Sequence, residues 1–201
     1  MSCIIGLTGP TGAGKSEAAR ALAAEGCAVV DADRVSREAV EQPECLNALA
    51  EAFGADILRP DGTLDRRALA WRAFETQEKT QLLNDITHPR ILQYIRQQIQ
   101  HALDSGAEAV VVDAPLLFES KLDAVCQVNI AVVAPAEVRL QRICARDGLS
   151  EEEAVRRMNI QPQDAFYITR ADYVFQNAKE PEALRTDVIC WLKKLLREGA
   201  R

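Results

Sequence analysis

The amino-acid sequence predicts an α/β fold in three layers (α/β/α), with helices on both faces of a five-stranded parallel sheet. Two observations lead to this fold class. Five short apolar runs alternate with helical segments, and a glycine-rich loop joins the first run to the first helix. The runs are apolar throughout, as expected for strands that are buried on both faces.

The predicted strands and helices account for most of the chain. The strands lie at residues 4–7, 27–31, 109–113, 128–133 and 172–175. The helices lie at residues 17–25, 34–42, 44–53, 64–74, 76–104, 136–146, 150–159, 162–170 and 181–197. Asp33 is a possible N-cap, and Ser150 begins a capping box. We expect Pro89 to interrupt or kink the helix at 76–104, because proline has no N–H and its ring clashes with the preceding turn.

Length and composition indicate a soluble globular protein. The chain has 201 residues, of which 48% are hydrophobic and 27% charged, and its net charge of -6 argues against nucleic acid as the main partner. Because no run approaches about 18 apolar residues and no leader pattern precedes the loop, we expect no membrane association and a cytoplasmic location. The six cysteines and two histidines lack zinc-site spacing, and we expect the cysteines, including Cys190 in its apolar surroundings, to be small buried residues in a reducing compartment. We expect a monomer or a small homo-oligomer.

A phosphate-binding pattern follows the first predicted strand. Residues 9–16 read GPTGAGKS and satisfy G-x-x-x-x-G-K-[ST]. The glycines allow the backbone to curl until several N–H groups point at one anion, and the helix N-terminus adds partial positive charge. Lys15 is predicted to reach the β- and γ-phosphates of a nucleotide, and Ser16 to bind the accompanying Mg²⁺. The alternative is a glycine-rich turn that binds nothing.

A long helical connection separates the second and third predicted strands. It spans about seventy-five residues, where a crossover needs roughly a dozen. It begins at the carboxyl end of a strand, the edge at which such sheets bind ligands. We predict a helical insertion at 34–105 that holds a second substrate, a nucleotide core at 1–33, 106–134 and 171–201, and a lid region at 135–170. Alternatively, the insertion only enlarges the core.

Three carboxylates are expected at the carboxyl edge of the sheet. Asp33 begins the insertion and is predicted to lie near an acceptor hydroxyl group, because phosphoryl transfer needs a carboxylate there. Asp113 follows the strand that we place next to the first, and is predicted to help hold Mg²⁺. Asp31 is a further candidate. The alternative for Asp33 and Asp113 is a helix cap or a turn residue.

Arginines are concentrated on the two helices after the fourth strand. Arg139, Arg142 and Arg146 recur at spacings of three and four residues and are predicted to share one helix face, and Arg157 lies on the next helix. Since like charges at this spacing repel each other, an anion is expected to offset them. We predict a lid that closes over a triphosphate. The alternative is a solvated face that neighbouring acidic residues neutralise.

Several short stretches occur together over nearly the whole chain. They are GLTG at 6–9 with GAGKS at 12–16, DAD at 31–33 with RE at 37–38, FG at 53–54, HP at 88–89, PLLFE at 115–119, Arg142 with RDGLS at 146–150, Arg157 with Gln161, and AD at 171–172 with Asn177. In this combination the chain resembles the dephospho-coenzyme A kinase family. The resemblance implies a P-loop kinase-like fold with a nucleotide core, a helical acceptor domain and a lid.

The resemblance also implies an activity and a set of site residues. The activity is transfer of the γ-phosphate of ATP to the 3′-hydroxyl group of dephospho-coenzyme A with Mg²⁺. Asp33 is implied as the base, with Lys15 and Arg142 as further catalytic residues, and Ser16 and Asp113 as metal ligands. The residues implied to bind ATP are Gly12, Ala13, Gly14, Lys15, Ser16, Glu17, Arg142 and Arg146. Those implied to bind the acceptor are Thr8, Asp33, Arg37, His88, Pro115, Leu116, Leu117 and Glu119.

The chain departs from the family pattern at three places. Pro10 and Thr11 replace the usual glycine and apolar residue of the loop, and Glu17 stands where threonine is common. We expect these side chains to point away from phosphate, because the backbone forms the cradle. The stretch at 162–170 is also less typical.

Two other functions remain as alternatives. A kinase of nucleosides or nucleoside monophosphates would share the core and differ in the insertion. A nucleotide switch such as a GTPase would need D-x-x-G after the third strand and N-K-x-D after a later one. The chain has DAPL at 113–116 and NAKE at 177–180, which match poorly.

Overall fold

A computed structural model describes residues 2–178 and 181–199 of the chain. Lys179 and Glu180, which belong to the NAKE stretch, lie outside the described residues. Two compact units are present: one combines Met1–Asp31 with Ile99–Arg201, and the other is Ala32–Gln98. Among the described residues, no helix combines the length and the apolar character that crossing a membrane requires.

The first unit contains a five-stranded sheet in which every pair of neighbouring strands is parallel. The strands are β1 (Cys3–Thr8), β2 (Ala28–Asp31), β3 (Ala109–Asp113), β4 (Val128–Val133) and β5 (Tyr173–Gln176). Their order is β2-β3-β1-β4-β5. The predicted sheet is confirmed, as is the position of Asp113 on the strand beside β1, where it pairs in register with Leu7.

Nine α-helices lie in the described part of the chain. They are α1 (Lys15–Ala24), α2 (Ala32–Val40), α3 (Pro43–Phe53), α4 (Arg66–Ala73), α5 (Gln77–Asp104), α6 (Ala136–Asp147), α7 (Glu151–Asn159), α8 (Asp164–Ile168) and α9 (Pro181–Gly199). The capping box at Ser150 is confirmed, because its side chain and that of Glu153 each accept a hydrogen bond from the other residue's backbone. This geometry fixes the start of α7.

Each unit has its own hydrophobic core. In the first, α1 and α9 pack on the sheet, and Leu22 and Leu192 bury their side chains beside Ile5 and Val111. In the second, Leu49 on α3 packs with other buried residues of α3, of α4 and of the segment between them. Apolar side chains at helical spacing explain both arrangements, since each helix buries one stripe of its surface.

Four local predictions are corrected by the structure. The helix α5 continues through Pro89, so the predicted interruption is wrong. Pro89 and Asp85 are both exposed, and water can therefore satisfy the carbonyl group of Asp85, which loses its usual donor. The helix α2 begins at Ala32, so Asp33 lies in its first turn and is not the N-cap. The helix α8 is shorter than the predicted 162–170. Cys190, predicted to be buried, is exposed.

Candidate active site

The glycine-rich loop, residues 9–16, connects the end of β1 to the start of α1. Gly14 precedes α1 in a left-handed conformation with a φ of 105°, which side chains disfavour. A Cβ atom at Gly9 would lie 2.2 Å from the carbonyl oxygen of Val132 on β4, so this position has no room for a side chain. The loop therefore passes close to β4 and delivers Lys15 and Ser16 into the first turn of α1.

Lys15 and Asp113 form an ion pair at the carboxyl edge of the sheet. The Nζ atom of Lys15 donates to the Oδ1 atom of Asp113, and the two side chains are 17% and 16% exposed. The parallel pairing of β3 with β1 places Asp113 at this edge. An ammonium group and a carboxylate group thus lie together where the loop can receive an anion, and Ser16 is exposed beside them.

A cleft of about 950 Å³ opens in front of the loop. It lies entirely within the first unit. The backbone of the glycine-rich loop and several cationic side chains line the cleft. A polyphosphate requires this combination. The lining residues are Gly9, Pro10, Thr11, Gly12, Gly14, Lys15, Ser16, Glu17, Arg20, Pro115, Arg142, Ala145, Arg146, Arg157, Ile160, Gln161 and Asn177.

Asn177, just after β5, anchors the glycine-rich loop to the end of the sheet through hydrogen bonds. Its backbone N–H donates to the carbonyl oxygen of Val133 at 2.7 Å, and its side-chain Nδ2 donates to the carbonyl oxygen of Ala13 at 2.7 Å. Arg142 donates to the carbonyl oxygens of Gly12 at 3.4 Å and Asn177 at 3.3 Å. Asn177 is only 5% exposed, so this clamp is part of the folded core. We did not predict a site role for Asn177 from the sequence.

The helices α6 and α7 bring arginines to the cleft, and the segment after α7 brings the amide group of Gln161. Arg146 donates to both carboxylate oxygens of Asp147, at 2.7 and 2.8 Å, and Arg157 donates to one of them at 2.7 Å. Arg146 in particular holds the pKa of the Asp147 carboxyl group below its usual value. Gln161 accepts a hydrogen bond from the backbone N–H of Thr11 at 2.7 Å, which joins the segment after α7 to the loop.

Arg139 differs from the other arginines of α6. It is 8% exposed, its Nε atom donates to the carbonyl oxygen of Ala134 at 3.1 Å, and it forms an ion pair with Asp164 of α8 at 3.2 Å. The prediction that Arg139 shares a phosphate-facing role with Arg142 and Arg146 is therefore wrong. Its charge serves to join α6 to α8.

The predicted acceptor residues fall in both units. Asp33 and Arg37 are exposed on α2 of the second unit, and His88 is exposed on α5 of the same unit. Asp33 follows β2 after only one intervening residue, so chain connectivity keeps its backbone within about 7 Å of Asp31. In the first unit, Leu116 and Glu119 are exposed.

At three positions that were predicted to contact a ligand, the side chain is buried. Thr8 and Leu117 are fully buried, and Thr8 donates from Oγ1 to the carbonyl oxygen of Pro115 at 3.2 Å. Ala13 is also fully buried. Their side chains pack inside the first unit, so any contact with a ligand from these positions would come from the backbone.

The sheet, the loop and the cationic cleft together define a protein with the P-loop kinase-like fold. The family model described as Dephospho-CoA kinase matches residues 3–182. The chain therefore belongs to the dephospho-CoA kinase family. This membership decides against the nucleotide-switch interpretation and against a nucleoside monophosphate kinase.

One curated relative is similar to this chain over nearly its whole length, and two solved structures share its fold. A dephospho-CoA kinase of Corynebacterium glutamicum is 44% identical over 194 residues, which cover 96% of each chain. A solved structure from Thermus thermophilus matches with a TM-score of 0.76 at 33% identity, and covers 96% of this chain and 98% of that one. The fold also matches a dephospho-CoA kinase from Campylobacter jejuni, with a TM-score of 0.74 at 24% identity over 99% of this chain and 100% of that one.

Proposed function

We propose that this chain transfers the γ-phosphoryl group of ATP to the 3′-hydroxyl group of dephospho-CoA. As a member of the dephospho-CoA kinase family, it is an ATP-dependent kinase that phosphorylates dephospho-CoA in the biosynthesis of coenzyme A. The observation that carries the mechanism is the cleft that combines the glycine-rich loop with Lys15, Arg142 and Arg146. A cytoplasmic location, expected from the sequence, suits this role.

The loop and Lys15 bind the β- and γ-phosphates in the proposed mechanism. Backbone N–H groups at the start of α1 point along the positive end of the helix dipole, which favours an anion. Lys15 contacts Asp113 in the structure and can exchange part of that interaction for the phosphate oxygens. Arg142, which bridges Gly12 and Asn177, adds a charge at the same edge.

The proposed Mg²⁺ ligands are Ser16 and Asp113. Magnesium prefers oxygen ligands and keeps several waters and substrate phosphates in its shell, so one or two protein oxygens suffice. The hydroxyl group of Ser16 is exposed at the cleft, and Asp113 lies beside Lys15, so the chain supplies a suitable set of donors. When bound, the ion would neutralise charge on the β- and γ-phosphate oxygens.

Asp33 is the proposed base for the acceptor. It is the second residue of the second unit and is exposed, as an acceptor carboxylate needs to be. In a loose phosphoryl-transfer transition state the proton of the hydroxyl group leaves late, so Asp33 would act mainly by orienting that group. Arg37, His88, Pro115, Leu116 and Glu119 are the proposed neighbours of the rest of the acceptor.

The helices α6 and α7 form the proposed lid. They carry Arg146 and Arg157, which share the carboxylate of Asp147, and the segment after α7 reaches the loop through Gln161. Closure over a bound triphosphate would exclude water and limit hydrolysis of ATP.

A panel of nucleotides and acceptors tests the proposal. ATP and GTP are each incubated with dephospho-CoA, adenosine and AMP in the presence of Mg²⁺, and products are identified by mass. We expect rapid phosphorylation of dephospho-CoA alone, with ATP as donor. Faster phosphorylation of AMP would overturn the proposal, and a variant carrying Lys15→Ala provides the control for contaminating kinases.

A further inference from the structure

One carboxylate stands at the edge of the phosphate cleft, at a position where the family resemblance implies a contact with ATP, but its side chain has no role in the proposed mechanism. Glu17 is the third residue of α1 and lines the cleft with Lys15 and Ser16. A free carboxylate there would repel the phosphates of ATP. Its side chain is 12% exposed, which shows that other groups cover it.

Two arginines cover the carboxylate of Glu17, one on each oxygen. Arg20, one turn later on α1, donates to Oε2, and Arg185 on α9 donates to Oε1. The three side chains carry one net positive charge. They therefore replace a local negative charge with a positive one at a site that receives an anion.

We infer that Arg185 is a positioning residue for ATP, which acts by holding the carboxylate of Glu17 away from the phosphates. Arg185 does not belong to the described residues that line the cleft, whereas Glu17 and Arg20 do. The inferred path from Arg185 to ATP therefore runs through Glu17, which Arg185 contacts and which lines the cleft. This inference rests on the proposed ATP site and adds to it a residue from the last helix.

The same pair of helices provides a matched control. Lys193 of α9 forms an ion pair with Glu25 at the end of α1, at 3.0 Å. Glu25 lies eight residues after Glu17, and Lys193 lies eight residues after Arg185. Both cationic side chains are about half exposed, at 49% for Arg185 and 55% for Lys193. The two pairs therefore join the same helices, but only one lies at the cleft.

The experiment compares Arg185→Ala with Lys193→Ala in the full chain. We expect Arg185→Ala to raise KM for ATP about five-fold, as one unscreened charge near the phosphates would do. The value of kcat and KM for dephospho-CoA should stay within about two-fold. We expect Lys193→Ala to leave all three constants near their original values. Because surface charges are screened, the effect of Arg185→Ala should shrink when salt is raised to 1 M, as the Debye length there is about 3 Å.

A second background isolates the path through Glu17. In a chain that carries Glu17→Gln, adding Arg185→Ala should leave KM for ATP unchanged, because there is no longer a carboxylate to release. The inference is overturned if Arg185→Ala and Lys193→Ala behave alike, or if the five-fold effect persists in the Glu17→Gln background. An original chain without kinase activity would instead overturn the proposed function.

Discussion

Replacing Lys15 with alanine should have two separable effects, one on turnover and one on stability. Lys15 contacts the carboxylate of Asp113, and both side chains are about five-sixths buried. The substitution removes a positive charge from the proposed phosphate site. It also removes an ionic partner of Asp113, whose side chain is mostly shielded from water.

The magnitudes of the two effects can be estimated from this geometry. A charge about 4 Å from a phosphate oxygen contributes roughly 4 kcal/mol at the effective dielectric constant typical of a protein surface. Part of this acts on ground-state binding, so we expect kcat to fall about 100- to 1000-fold, as for the loss of one transition-state donor. Removing this cationic donor from the mostly buried carboxylate of Asp113 should lower the free energy of unfolding by about 1–3 kcal/mol.

The assay measures kcat with saturating ATP and dephospho-CoA, and urea unfolding on the same preparation. Adding Asp113→Asn to Lys15→Ala should recover most of the lost stability, because a neutral amide needs the lost cation less than a mostly buried carboxylate does. It should not recover kcat, since both groups belong to the proposed site. If Lys15→Ala alone keeps more than about a tenth of the original kcat, the phosphate role of Lys15 is refuted. A stability loss that the second substitution does not relieve would refute the structural argument.

Four further substitutions test other parts of the site. Asp33→Asn should lower kcat roughly 10²- to 10⁴-fold with little change in ATP affinity; near-normal kcat would contradict its role as base. Arg139→Ala should cost about 2–3 kcal/mol in urea unfolding, because the carbonyl oxygen of Ala134 loses its buried donor and Asp164 loses its ionic partner. Arg146→Ala should cost less than about 1 kcal/mol but reduce turnover; the reverse order would contradict the separation of their roles. Asn177→Ala should raise KM for ATP and lower the melting temperature, and a change in neither would show that the loop needs no clamp.

The sheet could be predicted from the sequence because its signals are local. The run at 109–113 is β-branched and ends in a carboxylate, and the run at 128–133 is stopped by Pro135; both strands match the structure residue for residue. The phosphate loop is equally local, since its glycines, Lys15 and Ser16 are contiguous. Such features depend on the backbone preferences of a few neighbouring residues.

The parts that could not be predicted depend on distant contacts. Asn177 and Ala13 are 164 positions apart in the chain, so no local pattern could join them. Arg139 and Arg146 lie on the same face of α6 but at different positions along the helix axis. Asp164 of α8 forms an ion pair with Arg139, whereas Arg146 pairs with Asp147, so their roles differ. Helical spacing gives the face of a residue and says nothing about what packs against each turn.

The most direct test of the central claim is the identity of the phosphorylated hydroxyl group. Purified protein is incubated with Mg-ATP and either dephospho-CoA or its 3′-deoxy analogue, and the product is analysed by mass and by phosphorus NMR. The account predicts one new phosphate ester on the 3′-oxygen of dephospho-CoA and no product from the analogue. Phosphorylation of the analogue, or an ester at any other oxygen, would contradict it.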